Sequence, residues 1–463
     1  MSYAYSPSVF REYDIRGFVD KDLSDEFSAR LGCALARFYT LHGASEGEVV
    51  IGYDARASSK TYADALGKAL SSEGFKVTNI GMVPTPVVYH YSIVKNCLAA
   101  VVVTGSHNPK DMNGFKLVFR GDALYGEQIQ YVRKIFETIN PTSRNDCPIF
   151  YESWLEKYAE DLANKLSIKK GSKWPKFAAD FGNGVAGLSF RLVASLLGVD
   201  SNVVTLFEEP DPNFPNHHPD PTVETNLSAL KQAVIENNLD FGVAFDGDGD
   251  RIGLIDKFGR IVPGDLILLI LAKSLADSKK GLKVVADVKC SDILFKLLSQ
   301  WNAQPLMWKT GHSLIKAKMK ETGAELGGEM SGHIFIKDRF YGFDDAVYAC
   351  FRLLEFFVNT GFDLSAFIDS LPKTFATPEI RVDVAENLKF QIVERVKDHF
   401  LKRYDVVTID GARIRFEKGW GLIRASNTQP VLVLRFEAET EELLNKYKNE
   451  VLEAVEFIKN SLG

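Results

Sequence analysis

Ala99-Ala100-Val101-Val102-Val103-Thr104-Gly105-Ser106-His107-Asn108-Pro109 is the stretch on which the fold reading turns. The run from Ala99 to Gly105, interrupted only by Thr104, is a short buried-strand signal, and Gly105, Asn108 and Pro109 then force the chain to turn. A serine hydroxyl is thereby carried at a strand tip. Open α/β sheets put their chemistry at such tips, where the strand holds a side chain in place and the loop leaves it reachable. The same residues are ordinary turn formers, so the loop alone does not separate a reactive serine from a plain turn.

Upstream, Val49 to Tyr53 reads as a strand ending at Asp54, Lys60 to Ser72 as a helix closed near Gly74, and Lys76 to Ile80 as a second strand. A turn through Gly81 and Pro84 and another helix then lead into the serine strand. This βαβ rhythm predicts a mostly parallel sheet with helices on its faces, because parallel neighbours need a crossover. It restarts after the polar stretch Pro141 to Pro148, with a helix near Trp154 to Leu166 and a strand at Phe177 to Asp180, and again near Pro263. Strand ends carry Asp180, Asp246 and Asp287, with Lys289 just beyond the last. Without any close sequence repeat, the recurrence of an apolar strand with a polar tip predicts three similar α/β units. From about Thr377 a strand, a helix over Phe390 to Phe400, strands at Val406 to Ile409, Ala412 to Phe416 and Val431 to Phe436, and a terminal helix predict a C-terminal α+β domain. The expected divisions are 1–152, 153–260, 261–372 and 373–463.

A chain of 463 residues is too long for one core. Its 46% apolar and 25% charged content is that of an ordinary globular protein. A net charge of -6 supplies no positive field to attract nucleic acid or an acidic membrane. The five cysteines are scattered, with no CxxC pair to clip a zinc ion, and read as reduced, mostly buried thiols. The N-terminus lacks a basic segment followed by an apolar run, and no apolar stretch approaches the ~20 residues of a membrane helix. A cytoplasmic, monomeric protein is expected.

Phe241 to Phe245 runs into Asp246-Gly247-Asp248-Gly249-Asp250-Arg251, three carboxylates at alternate positions. Such crowding costs free energy unless a cation neutralises it. An EF-hand would need glycine where Arg251 stands and glutamate where Lys257 stands, so Mg2+ is favoured over Ca2+. Gly182-Asn183-Gly184-Val185-Ala186-Gly187 is a literal dinucleotide fingerprint, but Glu208 is only a loose fit for its ribose-binding acid, and tight strand-to-helix turning is the plainer use of these glycines. Lys116, Lys289 and His312 each follow a loop or strand where a cation or imidazole could serve chemistry; singly, each also reads as a surface residue. Glu329-Met330-Ser331-Gly332-His333 offers an acid, a hydroxyl and an imidazole between glycines, a set suited to sugar hydroxyls. Arg424-Ala425-Ser426-Asn427-Thr428 reads as a turn with a phosphate-binding composition, since arginine presents a planar fork to phosphate oxygens.

Taken in order, Tyr13-Asp14-Ile15-Arg16-Gly17, the Ser106 loop, Asn113-Gly114-Phe115-Lys116, the Asp246 to Arg251 run, Lys309-Thr310-Gly311-His312-Ser313, Glu329 to His333 and Arg424 to Thr428 resemble the motifs of the α-D-phosphohexomutases. The resemblance covers nearly the whole chain. It implies a heart-shaped molecule of three α/β domains plus a C-terminal domain around a central active-site cleft. Ser106 would carry the phosphoryl group and, with Asp246, Asp248 and Asp250, hold Mg2+. Arg16, Arg251, Lys116 and His312 would assist transfer, the last two as proton-transfer candidates. Tyr13, His107, Lys289, Glu329, Ser331, His333, Arg424, Ser426, Asn427 and Thr428 would bind the phosphosugar, with glucose 1,6-bisphosphate as intermediate and activator. Within the family a phosphoglucosamine mutase is the nearest alternative, although its sugar loop usually has Gln where Met330 stands. Outside it, a nicotinamide oxidoreductase using Gly182 to Gly187 and a non-catalytic sugar-phosphate binding protein stay open.

Overall fold

The strand Ala99–Val103 is buried along its whole length because it has neighbours on both edges and helices on both faces. It lies parallel to Glu48–Tyr53, which is parallel to Lys76–Met82, and antiparallel to Met112–Phe119. The computed structural model from which this is read describes residues 5–139, 148–169, 171, 173–276, 278–426 and 429–462. Ile15–Phe18 and Ile149–Tyr151 add edge strands to this first sheet. The helix Ser59–Ser72 covers one face with Tyr62, Ala63, Leu66 and Leu70, spaced to form a single apolar stripe, and Gly74 ends it at φ +96°. Full burial of each such leucine is worth about 1.5–3 kcal/mol, so Leu66→Asp would unseat the helix.

Two further sheets repeat the same plan. In the second, Val203–Leu206, Phe177–Asp180 and Phe241–Phe245 run parallel and Ile252–Asp256 returns antiparallel. In the third, Gln304–Trp308, Lys283–Asp287 and Leu326–Gly328 run parallel and Ile334–Ile336 returns antiparallel. Each unit therefore has the strand order second, first, third, fourth, with only the last reversed. The sheets are mixed rather than purely parallel, since each returning strand follows a short loop instead of a crossover. Ile261–Val262 still pairs with Ile252–Asp256, so the second sheet reaches just past residue 260.

The repeated plan positions chemistry. Each third strand ends in a loop that sequence reading singled out: Ser106 after Val103, Asp246 to Asp250 after Phe245, and Glu329 to His333 after Gly328. Each first strand ends at an aspartate, Asp54, Asp180 or Asp287, whose Oδ1 accepts the N–H two residues on, from Arg56, Gly182 and Lys289. These are the carboxyl ends of the central strands, where an open sheet leaves a crevice.

The fourth sheet is antiparallel throughout, in the order Phe375–Ala376, Val431–Ala438, Gly419–Ala425, Ala412–Phe416, Asp405–Val407, backed by helices Lys389–Phe400 and Glu441–Leu462. The α+β expectation holds. Two details differ: the strand expected over Val406 to Ile409 stops at Val407, and an unexpected strand, Gly419–Ala425, takes in Arg424 and Ala425 of the turn expected over Arg424 to Thr428. Arg424 thus sits in a strand, placed by register opposite Val433. Among the described residues the cysteines are buried, and no helix is long and apolar enough to cross a membrane.

Candidate active site

Ser106 is almost fully buried and adopts φ +48°, a left-handed conformation that costs a non-glycine residue free energy. What holds it there is Arg56. Its Nη2 donates to the carbonyls of Ser106 (2.7 Å) and Asn108 (2.6 Å), and its Nη1 to those of Pro109 (2.6 Å) and Met112 (3.0 Å). Asp54 accepts from Arg56 Nε (3.1 Å), from Thr104 Oγ1 (2.8 Å) and from the Gly105 N–H (3.1 Å). Gly105 has to be glycine, because a Cβ would lie inside the Arg56 guanidinium. The Ser106 hydroxyl donates to Asp246 Oδ2 at 2.9 Å and lies 3.2 Å from His107 Nδ1.

Asp246, Asp248 and Asp250 bring carboxylate oxygens within 4.8 Å of one another at three fully buried residues. Asp246 Oδ1 accepts the backbone N–H groups of Asp250 and Arg251, both at 3.1 Å, which folds the loop back on itself. Burial, with Asp248 and Asp250 adding to it, pushes the Asp246 carboxyl well above the usual range. Lys116 Nζ donates to Asp248 Oδ2 at 2.6 Å and also to Asp250, and Thr85 Oγ1 donates to Asp248 at 2.6 Å. Burial opposes the Lys116 charge, but Asp248 and Asp250 outweigh it and hold the ammonium pKa well above its ordinary value. One ammonium does not satisfy three carboxylates: Asp248 Oδ1 and Asp250 Oδ1 are buried without a hydrogen-bond partner. Hard, closely spaced oxygens with orphaned lone pairs fit a divalent cation, and this cluster could hold one.

Glu329 is buried and accepts the Gly311 N–H at 2.5 Å. Burial, with Asp287 adding to it, raises its carboxyl pKa. Ser331 stands half-buried at the loop tip. His333 Nε2 accepts from Arg251 Nε at 3.0 Å, and its Nδ1 lies 3.3 Å from Asp344 and 3.5 Å from Asp250. Burial and then the charge of Arg251 and Arg16 hold the His107 imidazole well below its ordinary pKa. His312 opens the helix His312–Thr322 and stacks on His333 at 5.6 Å between ring centres; neither of its ring nitrogens has a hydrogen-bond partner. Burial and then Lys316 push it well below the usual imidazole range, keeping it neutral. One turn along, Lys316 Nζ donates to Asp344 at 2.9 Å.

The remaining sequence candidates fall at the seams between sheets. Tyr13 donates its hydroxyl to the Thr310 carbonyl at 2.8 Å, and Arg16 Nε donates to Asp14 at 2.6 Å. Lys289 Nζ donates to Glu379 at 2.8 Å, and this lysine, more than the opposing cost of burial, brings the Glu379 carboxyl down to about 2. Arg424 Nε donates to Asp410 Oδ2 at 2.9 Å, and the Thr310 N–H donates to the same oxygen at 3.1 Å. Ser426 follows Arg424 and accepts the Gln429 N–H at 3.2 Å. Asn427 and Thr428 lie outside the described residues. The glycine-rich decoy packs rather than binds: a Cβ on Gly184 would meet the Gly247 carbonyl at 2.8 Å, so this turn butts against the carboxylate loop, while Glu208 pairs with Arg191 at 2.7 Å.

Sequence reading missed Arg56, Asp344, Thr85, Asp410 and Glu379. Asp54 was seen only as a strand end, although Asp54-Ala55-Arg56 after a strand is the same tip signal as Asp287-Val288-Lys289.

The assembled residues match known proteins along the whole chain. Residues 7–143, 156–259 and 263–375 match phosphoglucomutase/phosphomannomutase alpha/beta/alpha domains I, II and III, and residues 379–454 match the C-terminal domain. A phosphomannomutase/phosphoglucomutase of Pseudomonas aeruginosa is 42% identical over 100% of this chain and 99% of its own. The chain belongs to the phosphoglucomutase/phosphomannomutase family. A phosphoglucomutase of Neisseria gonorrhoeae is 38% identical over 97% of this chain and 96% of its own. The crystal structure of a phosphoglucomutase/phosphomannomutase family protein of Burkholderia thailandensis superposes with a TM-score of 0.89, at 38% identity and 98% coverage of both chains. As a member of this phosphohexomutase family the chain is an isomerase acting on hexose phosphates.

Proposed function

We propose that the chain interconverts the 1-phosphates and 6-phosphates of glucose and mannose through a phosphorylated Ser106 and a 1,6-bisphosphate. The observation that carries this reading is the Ser106 hydroxyl at 2.9 Å from Asp246, inside a set of buried carboxylates that want a cation. The names of the Pseudomonas and Neisseria relatives support glucose and mannose as the sugars, and Met330 in the sugar loop speaks against a phosphoglucosamine mutase.

In the forward step the bond between phosphorus and Ser106 Oγ breaks and one to the sugar's free hydroxyl oxygen forms. The hydroxyl proton goes to a basic lone pair; neutral, unpartnered His312 offers one. Lys116, held fully protonated, carries the proton the departing Ser106 oxygen regains. The bisphosphate then turns end for end and the flow reverses, returning its other phosphate to Ser106. Mg2+ held by Asp246, Asp248, Asp250 and the phosphorylated serine would offset charge on the transferring phosphoryl oxygens. Arg16 and Arg251 add positive charge on the same side. Glu329, Ser331 and His333 orient sugar hydroxyls; Tyr13, His107 and Lys289 line the approach; Arg424, Ser426, Asn427 and Thr428 hold the phosphate that is not reacting. Glucose 1,6-bisphosphate acts as activator by re-phosphorylating Ser106. The reading keeps the four units divided as the sequence was, save that the second runs on through Ile261–Val262, in a cytoplasmic monomer that binds phosphosugars and no nucleic acid.

The test is intact mass. Protein treated with glucose 1,6-bisphosphate should gain about 80 Da, and Ser106→Ala should gain nothing and lose nearly all mutase turnover. Equal labelling or full turnover of the alanine variant would end the proposal.

A further inference from the structure

A cavity of about 540 Å³ lies between the first and third α/β units, and neither Ser106 nor His312 nor His333 is among its lining residues. Its volume is that of a small-molecule site. Its walls combine flat apolar surface with unspent polar groups. Tyr89, Tyr125, Tyr341 and Phe343 supply aromatic surface, and the Tyr341 and Phe343 rings stack nearly parallel, with 4° between their planes and centres 6.0 Å apart. Ser313 belongs to the lining, with only 2% of the residue exposed and its buried Oγ without a hydrogen-bond partner, which is costly unless something else binds there.

The charge of the lining is asymmetric. Of the acidic groups at its rim, Asp122 is already paired with Lys320 at 2.7 Å and Glu321 with Lys318 at 2.6 Å. Lys337 has no ion pair among the described residues, so its charge is the one left over. Lys316 forms part of the wall, with its ammonium 4.6 Å over the Tyr89 ring and 2.9 Å from Asp344. The other oxygen of Asp344 is the one 3.3 Å from His333 and 3.7 Å from His312.

We infer that this cavity is a second ligand site, built for a small planar aromatic body carrying one anionic group, and that Lys316 and Asp344 connect it to the histidine pair. The ring lies against Tyr341 and Phe343, where aromatic contact adds to burial. The anion takes Lys337 and the Ser313 hydroxyl, and it competes with Asp344 for Lys316. Loosening Lys316 leaves Asp344 free to reorient toward the histidines, so occupancy changes the rate of the chemical step and not the binding of substrate.

The probe is 1-naphthalenesulfonate, titrated into the full-length protein by calorimetry with activity assayed in parallel. One molecule should bind per chain with a dissociation constant below about 1 mM, and saturation should change kcat at least twofold with KM unchanged. Ala317→Trp fills the cavity from the helix His312–Thr322 and should weaken binding more than tenfold while leaving basal turnover in place. Lys337→Glu, on an exposed side chain that cannot unfold the protein, should weaken it at least fivefold. No binding at that concentration, binding unaffected by both substitutions, or displacement of the probe by glucose 1-phosphate would overturn the inference. In the last case the probe would be reading the catalytic cleft.

Discussion

Arg56 Nη2 donates to the Ser106 carbonyl at 2.7 Å, and the same guanidinium reaches three more carbonyls of that loop. A planar fork with five donors matches this ring of acceptors, and a lysine in its place would reach one or two. Arg56→Lys should therefore keep the charge beside Asp54 but release the left-handed Ser106. We expect a stability loss of about 2–4 kcal/mol by urea unfolding and a kcat lowered about 10- to 100-fold. A variant with normal kcat would show that Ser106 is placed by its own loop.

Lys116 stands where a cation would. Removing its charge with Lys116→Met leaves Asp248 and Asp250 without the ammonium that pairs with both, so the metal-free protein should lose stability while the pull on a divalent ion grows. The rise in Tm on adding Mg2+ should be larger in Lys116→Met than in the unsubstituted protein, even though turnover falls by at least about 100-fold. A smaller rise would mean that the carboxylates hold no metal in competition with Lys116.

How much of this was legible in the sequence depends on distance along the chain. Ser106, Asp246 and Glu329 announce themselves because an apolar strand and a polar, glycine-rich turn are neighbours in sequence. That these three turns occupy the same place in three copies of one strand plan was hidden, since a serine, an aspartate and a glutamate do not align. Arg56 serves carbonyls about 50 residues away, and Asp344 meets histidines on two other elements. Such roles exist only once the sheets have formed. Arg424 was read as a turn residue because it opens the polar run Arg424 to Thr428, whereas it stands at the end of a strand whose Gly421 is required, since a Cβ there would press within 2.8 Å of the Phe436 ring.

Buried neutral histidines make a pH prediction. Burial lowers the pKa of His90, His107, His218 and His312, whereas His217, although burial opposes it, is raised by Asp180. In the unfolded chain each returns to about 6.5. For a lowered group the unfolded state binds the proton first, so stability is full above pH ~6.5 and is lost as the pH falls below it; the single raised group works the other way and is outnumbered. The histidines' share of the unfolding free energy should fall from pH ~6.5 toward ~5.5, against the opposite trend of carboxyls raised by burial such as Asp246 and Asp345, and His312→Gln should shift the measured slope by up to about 1.4 kcal/mol per pH unit relative to the unsubstituted protein. An unchanged slope would show that His312 is charged in the folded protein.

Arg424 and Thr310 meet on one oxygen of Asp410, so the C-terminal sheet and the third α/β unit share a joint beside the proposed phosphate loop. The mutase reading requires both ends of a bisphosphate to reach the same Ser106, so the opposite end needs a receptor indifferent to whether C1 or C6 carries its phosphate. A guanidinium recognises the phosphate itself. Asp410 is engaged through Nε alone, so the remaining donors of the Arg424 fork are not spent on it. Hydrogen bonds to a charged group are worth about 1.5–3 kcal/mol each, so Arg424→Ala should lower kcat/KM about 10- to 150-fold. The loss should be equal for glucose 1-phosphate and mannose 1-phosphate and in both directions, because neither the sugar at C2 nor the carbon bearing the phosphate enters the contact. Asp410→Asn keeps an acceptor for Thr310 but frees the guanidinium of its counter-charge; it should tighten phosphate binding, lowering KM, while slowing product release and hence kcat. Steady-state kinetics of both variants with both sugars decide the matter: a selective loss of one sugar in Arg424→Ala would mean that this loop reads sugar identity, and the single receptor would have to be abandoned.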